Sequence, residues 1–229
     1  MPTKAFIATF LLLSSSLVSG QMDLKVDFSN NDLGEKNSEY WRDKSNAIAS
    51  SKKVNFLYLG KNLLHKLDNQ SENFVTEGIS PSWSNFEELV SGCPNVELID
   101  LHSNSFNKIS VFGWNYISQF FKKLPNLYEV NLASNNLSDM NSNQLKSFFI
   151  FLEKLTKLKV LHLEDNNLSS LAERDIKNLE IRLDQLKKLH LLYLCKNDIN
   201  QPMKEMLARL SFSLEHIDND LLLYHRSRL

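Results

Sequence analysis

The sequence predicts an α/β solenoid, a short horseshoe with parallel strands lining its concave face and helices covering its convex face. Two observations carry this. Asparagine recurs in a fixed frame: Asn31 and Asn62 are 31 residues apart, as are Asn104, Asn135, Asn166 and Asn197, with one gap of 42 between the sets. Each asparagine also sits in a copy of one short motif, LxxLxLxxNxL, with Val, Ile or Phe at some Leu positions. Self-similarity at a fixed period marks an array of stacked units.

The copies read VDFSNNDL (26–33), VNFLYLGKNLL (54–64), VELIDLHSNSF (96–106), LYEVNLASNNL (127–137), LKVLHLEDNNL (158–168) and LHLLYLCKNDI (189–199); only the first lacks its outermost Leu, where Asp23 stands. Motif positions four and six alternate as on a strand, so both point to one face. That face is the expected core, with the pairs Val26/Phe28, Leu57/Leu59, Ile99/Leu101, Val130/Leu132, Leu161/Leu163 and Leu192/Leu194. No unit can dry its own pair without a neighbour stacked beside it. The asparagine follows the strand, where its amide can donate and accept at once to the turn's backbone.

Helices are predicted between the strands. Residues 141–155 place Leu145, Phe148, Phe149 and Leu152 at helical spacing, and 172–189 place Ile176, Leu179, Leu183 and Leu186 on one stripe, with Glu173/Lys177 and Asp184/Lys188 as i,i+4 pairs. Shorter helices fit 86–91, closed by Gly92, and 114–123, closed before Pro125; Pro202 opens the last, and 35–52 reads as a weaker one. The longest irregular stretch, 65–84, carries the 11 extra residues of the long interval. It is expected on the rim, as a partner-contacting loop or a tolerated excursion.

These six motifs resemble the leucine-rich repeat family over nearly all of residues 24–217. One strand plus one helix in about 31 residues is similar to the ribonuclease-inhibitor type of repeat. The resemblance implies a single repeat domain over 21–213, a degenerate seventh unit or cap over 214–229, and a function in binding rather than catalysis.

Composition agrees with one domain: 229 residues at 42% hydrophobic suffice for one core. With a formal charge of −1 and Lys and Arg scattered along the chain, nothing marks a polyanion-binding stripe. No phosphate loop, zinc or nucleophile motif is present, so neither cofactor nor metal nor enzymatic activity is expected. Cys93 and Cys195 lie three repeats apart, roughly 14 Å or more at the usual strand spacing, too far for a disulfide. Extracellular proteins of this family usually resemble one another in having cysteine-stapled caps, which this chain does not carry; a reducing compartment is the expected home, though bacterial export would not require disulfides.

The concave face is the expected site. Strand position five displays Asp27, Tyr58, Asp100, Asn131, His162 and Tyr193, and position seven His102, Glu164 and Cys195. His102 and His162, about 10 Å apart by strand spacing, are too far apart for one zinc ion. Cys195 reads as a small strand residue rather than a nucleophile. Mixed with charge, the aromatic and aliphatic side chains have the character of an interface, so the expected partner-binding residues are Phe56, Tyr58, Leu98, Asp100, His102, Asn131, His162, Glu164, Leu191 and Tyr193. The expected partner is a protein, met by a monomer, with no nucleic acid and no membrane role beyond an export step.

Residues 1–20 carry two readings. An apolar run from Ala5 to Leu13 is followed by Val18 and Gly20 at the −3 and −1 places of a signal-peptidase site. The repeat frame, shifted back by 135 residues, instead puts Phe10, Leu13 and Leu17 where Leu145, Phe148 and Leu152 stand, as in a capping helix. An exported chain would resemble the repeat-only effectors that intracellular bacteria deliver into host cells; a retained one would resemble a cytosolic inhibitor or adaptor. Intact mass of the native protein separates the two readings. A mature terminus at Gln21 is the outcome expected of export, and an uncut terminus that of a cap.

Overall fold

The computed structural model describes residues 24–49, 53–68 and 83–210, together with the backbone of 216–218. Both readings of 1–20, most of the insertion and most of the C-terminal unit lie outside the described residues. Seven parallel strands stand side by side in chain order: β1 (Leu24–Asp27), β2 (Val54–Tyr58), β3 (Leu98–Asp100), β4 (Glu129–Asn131), β5 (Val160–His162), β6 (Leu191–Tyr193) and β7 (His216–Asp218). The helices between them are α1 (Ser38–Ala49), α2 (Trp83–Ser91), α3 (Val111–Phe121), α4 (Ser142–Lys154), α5 (Glu173–Gln185) and α6 (Gln201–Leu210). The strand β7 comes from the degenerate seventh unit.

Register follows the motif. Val26, Leu57, Ile99, Val130, Leu161, Leu192 and Ile217 pair in turn across the sheet. From Leu57 to Leu192 this row is fully buried, whereas Val26, on the first strand among the described residues, is half-buried.

Beside the core row runs the asparagine ladder. Asn62, Asn104, Asn135, Asn166 and Asn197 have no solvent exposure. The Oδ1 of each accepts the backbone N–H of the preceding repeat's asparagine, at 2.8–3.0 Å. It also accepts the N–H two residues further on, from Leu33, Leu64, Phe106, Leu137 and Leu168. Each Nδ2 donates back across the gap, to the carbonyls of Phe28, Leu59, Leu101, Leu132 and Leu163. Asn31 is half-buried and joins through its backbone N–H.

Residues on both sides of each asparagine, such as Ser134 and Asn136 or Asp165 and Asn167, are left-handed. The chain makes a tight double bend around the amide, and a short 3₁₀ turn follows in five repeats. Where Lys61 and Leu63 occupy these places, without the short polar side chains that tolerate this backbone, the ladder holds the bend.

Helix ends differ from the sequence expectation for local reasons. Instead of starting at 114, α3 begins at Val111 because Ser110 Oγ accepts Gly113 N–H. At α4, Asn141 and Gln144 cap each other reciprocally, and Gln144 Nε2 also donates to the Asn107 and Ile109 carbonyls of the previous repeat. Glu173 pairs with Lys177 at 2.9 Å, but Asp184 pairs with Lys187 rather than Lys188.

The irregular stretch is shorter than 65–84. Residues Leu64–Leu67 form the same 3₁₀ turn as the other repeats, and Trp83 already belongs to α2. Asp68 is buried, accepts Trp83 Nε1 at 2.9 Å and the Ser110 N–H, and lies where a Cβ on Gly113 would collide with it. It fastens both the exit of the second repeat and the start of α2 to α3.

The helical layer interlocks through aromatic rings. Trp83, Phe86, Phe106, Trp114, Phe121, Phe148 and Phe151 form a chain of contacts with centroids 5.1–6.4 Å apart, running from α2 to α4. Offset and edge-on pairs of this kind add to the stability from burial alone.

Asn135→Ala would strand the N–H groups of Asn104 and Phe106 in the core, while the Leu101 and Leu132 carbonyls keep Asn104 Nδ2 and Asn166 Nδ2 as donors. Equilibrium urea unfolding is expected to show a loss of at least about 2 kcal/mol, comparable to the roughly 2–5 kcal/mol of Leu163→Ala. A loss for Asn135→Ala within experimental error would contradict the ladder's structural role.

Candidate functional site: the concave face

Strand periodicity sends positions three, five and seven of each motif away from the core. Two rows cross the face: Phe56, Leu98, Glu129, Val160 and Leu191, then Tyr58, Asp100, Asn131, His162 and Tyr193. Every expected site residue thus shares one surface, and all but Asp100 are half-buried. At one side of the face, Lys25 Nζ stands 5.4 Å from the Phe56 ring centroid.

Asp100 has a different role from the one expected. It is buried, and its Oδ1 accepts His102 N–H at 3.0 Å. Asp27 and Asn131 do the same for Ser29 and Ala133. A short acceptor at position five thus satisfies the strand-end N–H at position seven. The Asp100 carboxylate also holds His102 Nδ1 at 2.9 Å, and the imidazole lies over Gly60, where an added Cβ would come within 2.1 Å of the ring. Gly60, just past the end of β2, is the seat for His102, just past the end of β3.

His162 is held more tightly. Its Nε2 faces Glu129 Oε1 and its Nδ1 faces Glu164 Oε1, both at 3.1 Å, while its ring lies flat on Tyr193, 4.3 Å between centroids and 4° between planes. Both nitrogens point at carboxylates, so both donate and the ring is an imidazolium. Burial pulls its pKa down, but the hydrogen bonds to Glu129 and Glu164, reinforced by their charges, outweigh burial and push it up to about 9. A planar cation stacked on a phenol ring gains from the ring's quadrupole. Tyr58, on the other flank, has its phenol pKa pushed up by burial and then by the charges of Asp100, Glu129 and Asp27.

Sequence reasoning missed Glu129. It sits at position three, where the neighbouring repeats carry Leu98 and Val160, and it reaches His162 diagonally across two strands. The alternation of a strand assigns it to the concave face, but nothing in one dimension pairs it with a residue 33 positions later. Among the described residues no three metal-ligating side chains converge. Cys93 is buried, with its thiol pushed up to about 12 by desolvation.

No family model matches the chain, and no curated protein matches it. Among solved structures, the leucine-rich repeat-containing protein LegL7 from Legionella pneumophila aligns at a TM-score of 0.52 and 20% identity, over 85% of this chain and 63% of that one. The fold is a leucine-rich-repeat solenoid. The chain spans less than two thirds of LegL7's length. CutC of Streptococcus agalactiae aligns at a TM-score of 0.30 and 11% identity, over 83% of this chain and 84% of that one, too distant to bear on the fold.

The raised pKa of His162 links stability to pH. An imidazole near 6.5 when unfolded and about 9 when folded contributes fully below pH 6.5, and its contribution is lost as pH rises through about 9. Unfolding free energy measured from neutral to alkaline pH is expected to decline more steeply for the wild type than for His162→Gln, by no more than about 3 kcal/mol. Parallel curves would place the imidazolium outside the two-carboxylate clamp.

Proposed function

We propose that this chain is a non-catalytic interaction module that grips a partner protein on its concave face. The carrying observation is the surface itself. Tyr58 and Tyr193 stand four strands apart on one row, half-buried and rigidly supported, with Glu129, His162 and Glu164 between them. Amphipathic aromatic groups on a stiff sheet bind at small entropic cost, and such residues dominate interface energies. Non-catalytic action fits the chemistry, because both histidines are held by carboxylates rather than poised beside a nucleophile. A repeat of about 31 residues with a full helix in each turn supports a ribonuclease-inhibitor-like subtype.

We further propose export, with the chain acting as an effector on a protein of another cell. The signal-like pattern of 1–20 supports this reading. The alternative, a cytosolic inhibitor or adaptor, draws on the match of the same segment to the helix frame of the fourth repeat.

Tyr58→Ala and Tyr193→Ala are each expected to weaken partner binding by about 1–3 kcal/mol, with the unfolding midpoint nearly unchanged in Tyr58→Ala and lowered in Tyr193→Ala, which also loses the stack on His162. Affinity capture followed by titration of the recovered partner measures this. Wild-type affinity in both variants would move the binding surface off the concave face.

A further inference from the structure

Lysines that are dispersed in the sequence are gathered by the topology. With parallel strands in chain order, every helix-to-strand turn lies on the same rim, at the N-terminal ends of the strands. Three successive turns, 122–128, 155–159 and 186–190, contain Lys122, Lys123, Lys157, Lys159, Lys187 and Lys188, all exposed, and no Asp, Glu or Arg. Lys154, also exposed, ends α4 beside them. In a chain of net charge −1, this gathers six lysines along three successive turns of one rim, two of them paired with Glu87 and Asp184.

Several contacts fix the side chains. Lys123 pairs with Glu87 at 3.4 Å and Lys187 with Asp184 at 3.3 Å. Lys157 Nζ donates to the Pro125 carbonyl at 2.7 Å, Lys122 to Gln119, and Lys159 stands 5.7 Å from the Tyr128 ring centroid. Lys122, Lys154 and Lys157, with Thr156, line one small hollow between the C-terminal ends of α3 and α4. Cations at helix C-termini complement the helix dipole. That explains Lys154 and Lys122, but not Lys157 and Lys159, which lie beyond the last turn of α4.

We propose that this rim docks on an anionic phospholipid bilayer, with a headgroup phosphate seated among Lys122, Lys154 and Lys157. The residue type selects the partner. Arginine is the usual choice for bidentate recognition of nucleic-acid phosphates, whereas lysines are mobile point charges suited to a diffuse anionic surface. Rings that could stack on bases are few in these turns, Tyr128 beneath Lys159 and His190. No helix among the described residues is long and apolar enough to cross a membrane, so the rim would dock from the surface. Docking by the rim would leave the concave face open, so the proposal does not depend on what that face binds.

Vesicle sedimentation of the full chain tests the proposal. Binding is expected to phosphatidylcholine vesicles containing about a third phosphatidylserine, with none to phosphatidylcholine alone. It should fall as added salt shortens the Debye length from about 10 Å to about 3 Å. Neutralising lysines should weaken it roughly fivefold each, and about a hundredfold in Lys122→Gln/Lys154→Gln/Lys157→Gln. Lys159→Gln/Lys188→Gln provides a second variant should the triple one fold poorly, and Tyr58→Ala should bind vesicles like the wild type. Equal binding to neutral vesicles, an undiminished affinity in well-folded lysine variants, or binding to duplex DNA with none to anionic vesicles would each overturn the proposal.

Discussion

The asparagine ladder is the constraint on which the rest depends. After each strand from β2 to β6, two left-handed residues flank one buried amide, a bend that leaves backbone groups facing the core. A buried polar group without a partner costs about 1–3 kcal/mol, and each asparagine supplies partners on both sides of a repeat junction. Because its Oδ1 takes the N–H of the asparagine before it, the spacing between coils is set by hydrogen-bond length. The long interval between Asn62 and Asn104 is bridged by the same bonds as the short ones, so an insertion can leave the frame without disturbing it.

With the coils held in register, the outward positions of short strands become a rigid surface. On it, two kinds of carboxylate behave differently. Asp27 and Asp100 fold back onto their own strand ends, and Asp100 also holds His102. Glu129, one methylene longer, reaches past its own strand to His162, and Glu164 meets the same ring from two residues further along the chain. The same charge therefore serves turn geometry in one case and a cross-strand clamp in the other. The result is a face on which aromatic rings are braced by ionic contacts beneath and beside them, as in the flat stack of His162 on Tyr193.

The helical side follows a separate logic. Aromatic rings from α2 to α4 fill the wider convex layer, where a helix must span more volume per repeat than a strand does. Three successive turns that return the chain to the sheet collect lysines, and the two faces of one near-neutral chain differ in chemistry. An array makes this possible, because a residue type repeated at one motif position becomes a continuous stripe.

The sequence alone determined the strands, their order, the core pairs from Leu57/Leu59 to Leu192/Leu194 and the asparagine ladder. All of these depend on a period, and a period is legible in one dimension. It also assigned Tyr58, His162 and Tyr193 to one face, since alternation along a strand needs no third coordinate. Helix starts were less legible, because single side chains such as Ser110 and Asn141 set them locally. Only the tertiary structure decided that Asp68 anchors α2 to α3, that Gly60 seats His102, that Glu129 meets His162 and that scattered lysines form one rim. Each of those depends on which repeats become neighbours and how far a particular side chain reaches, and distance across a sheet has no signature in the order of residues along the chain.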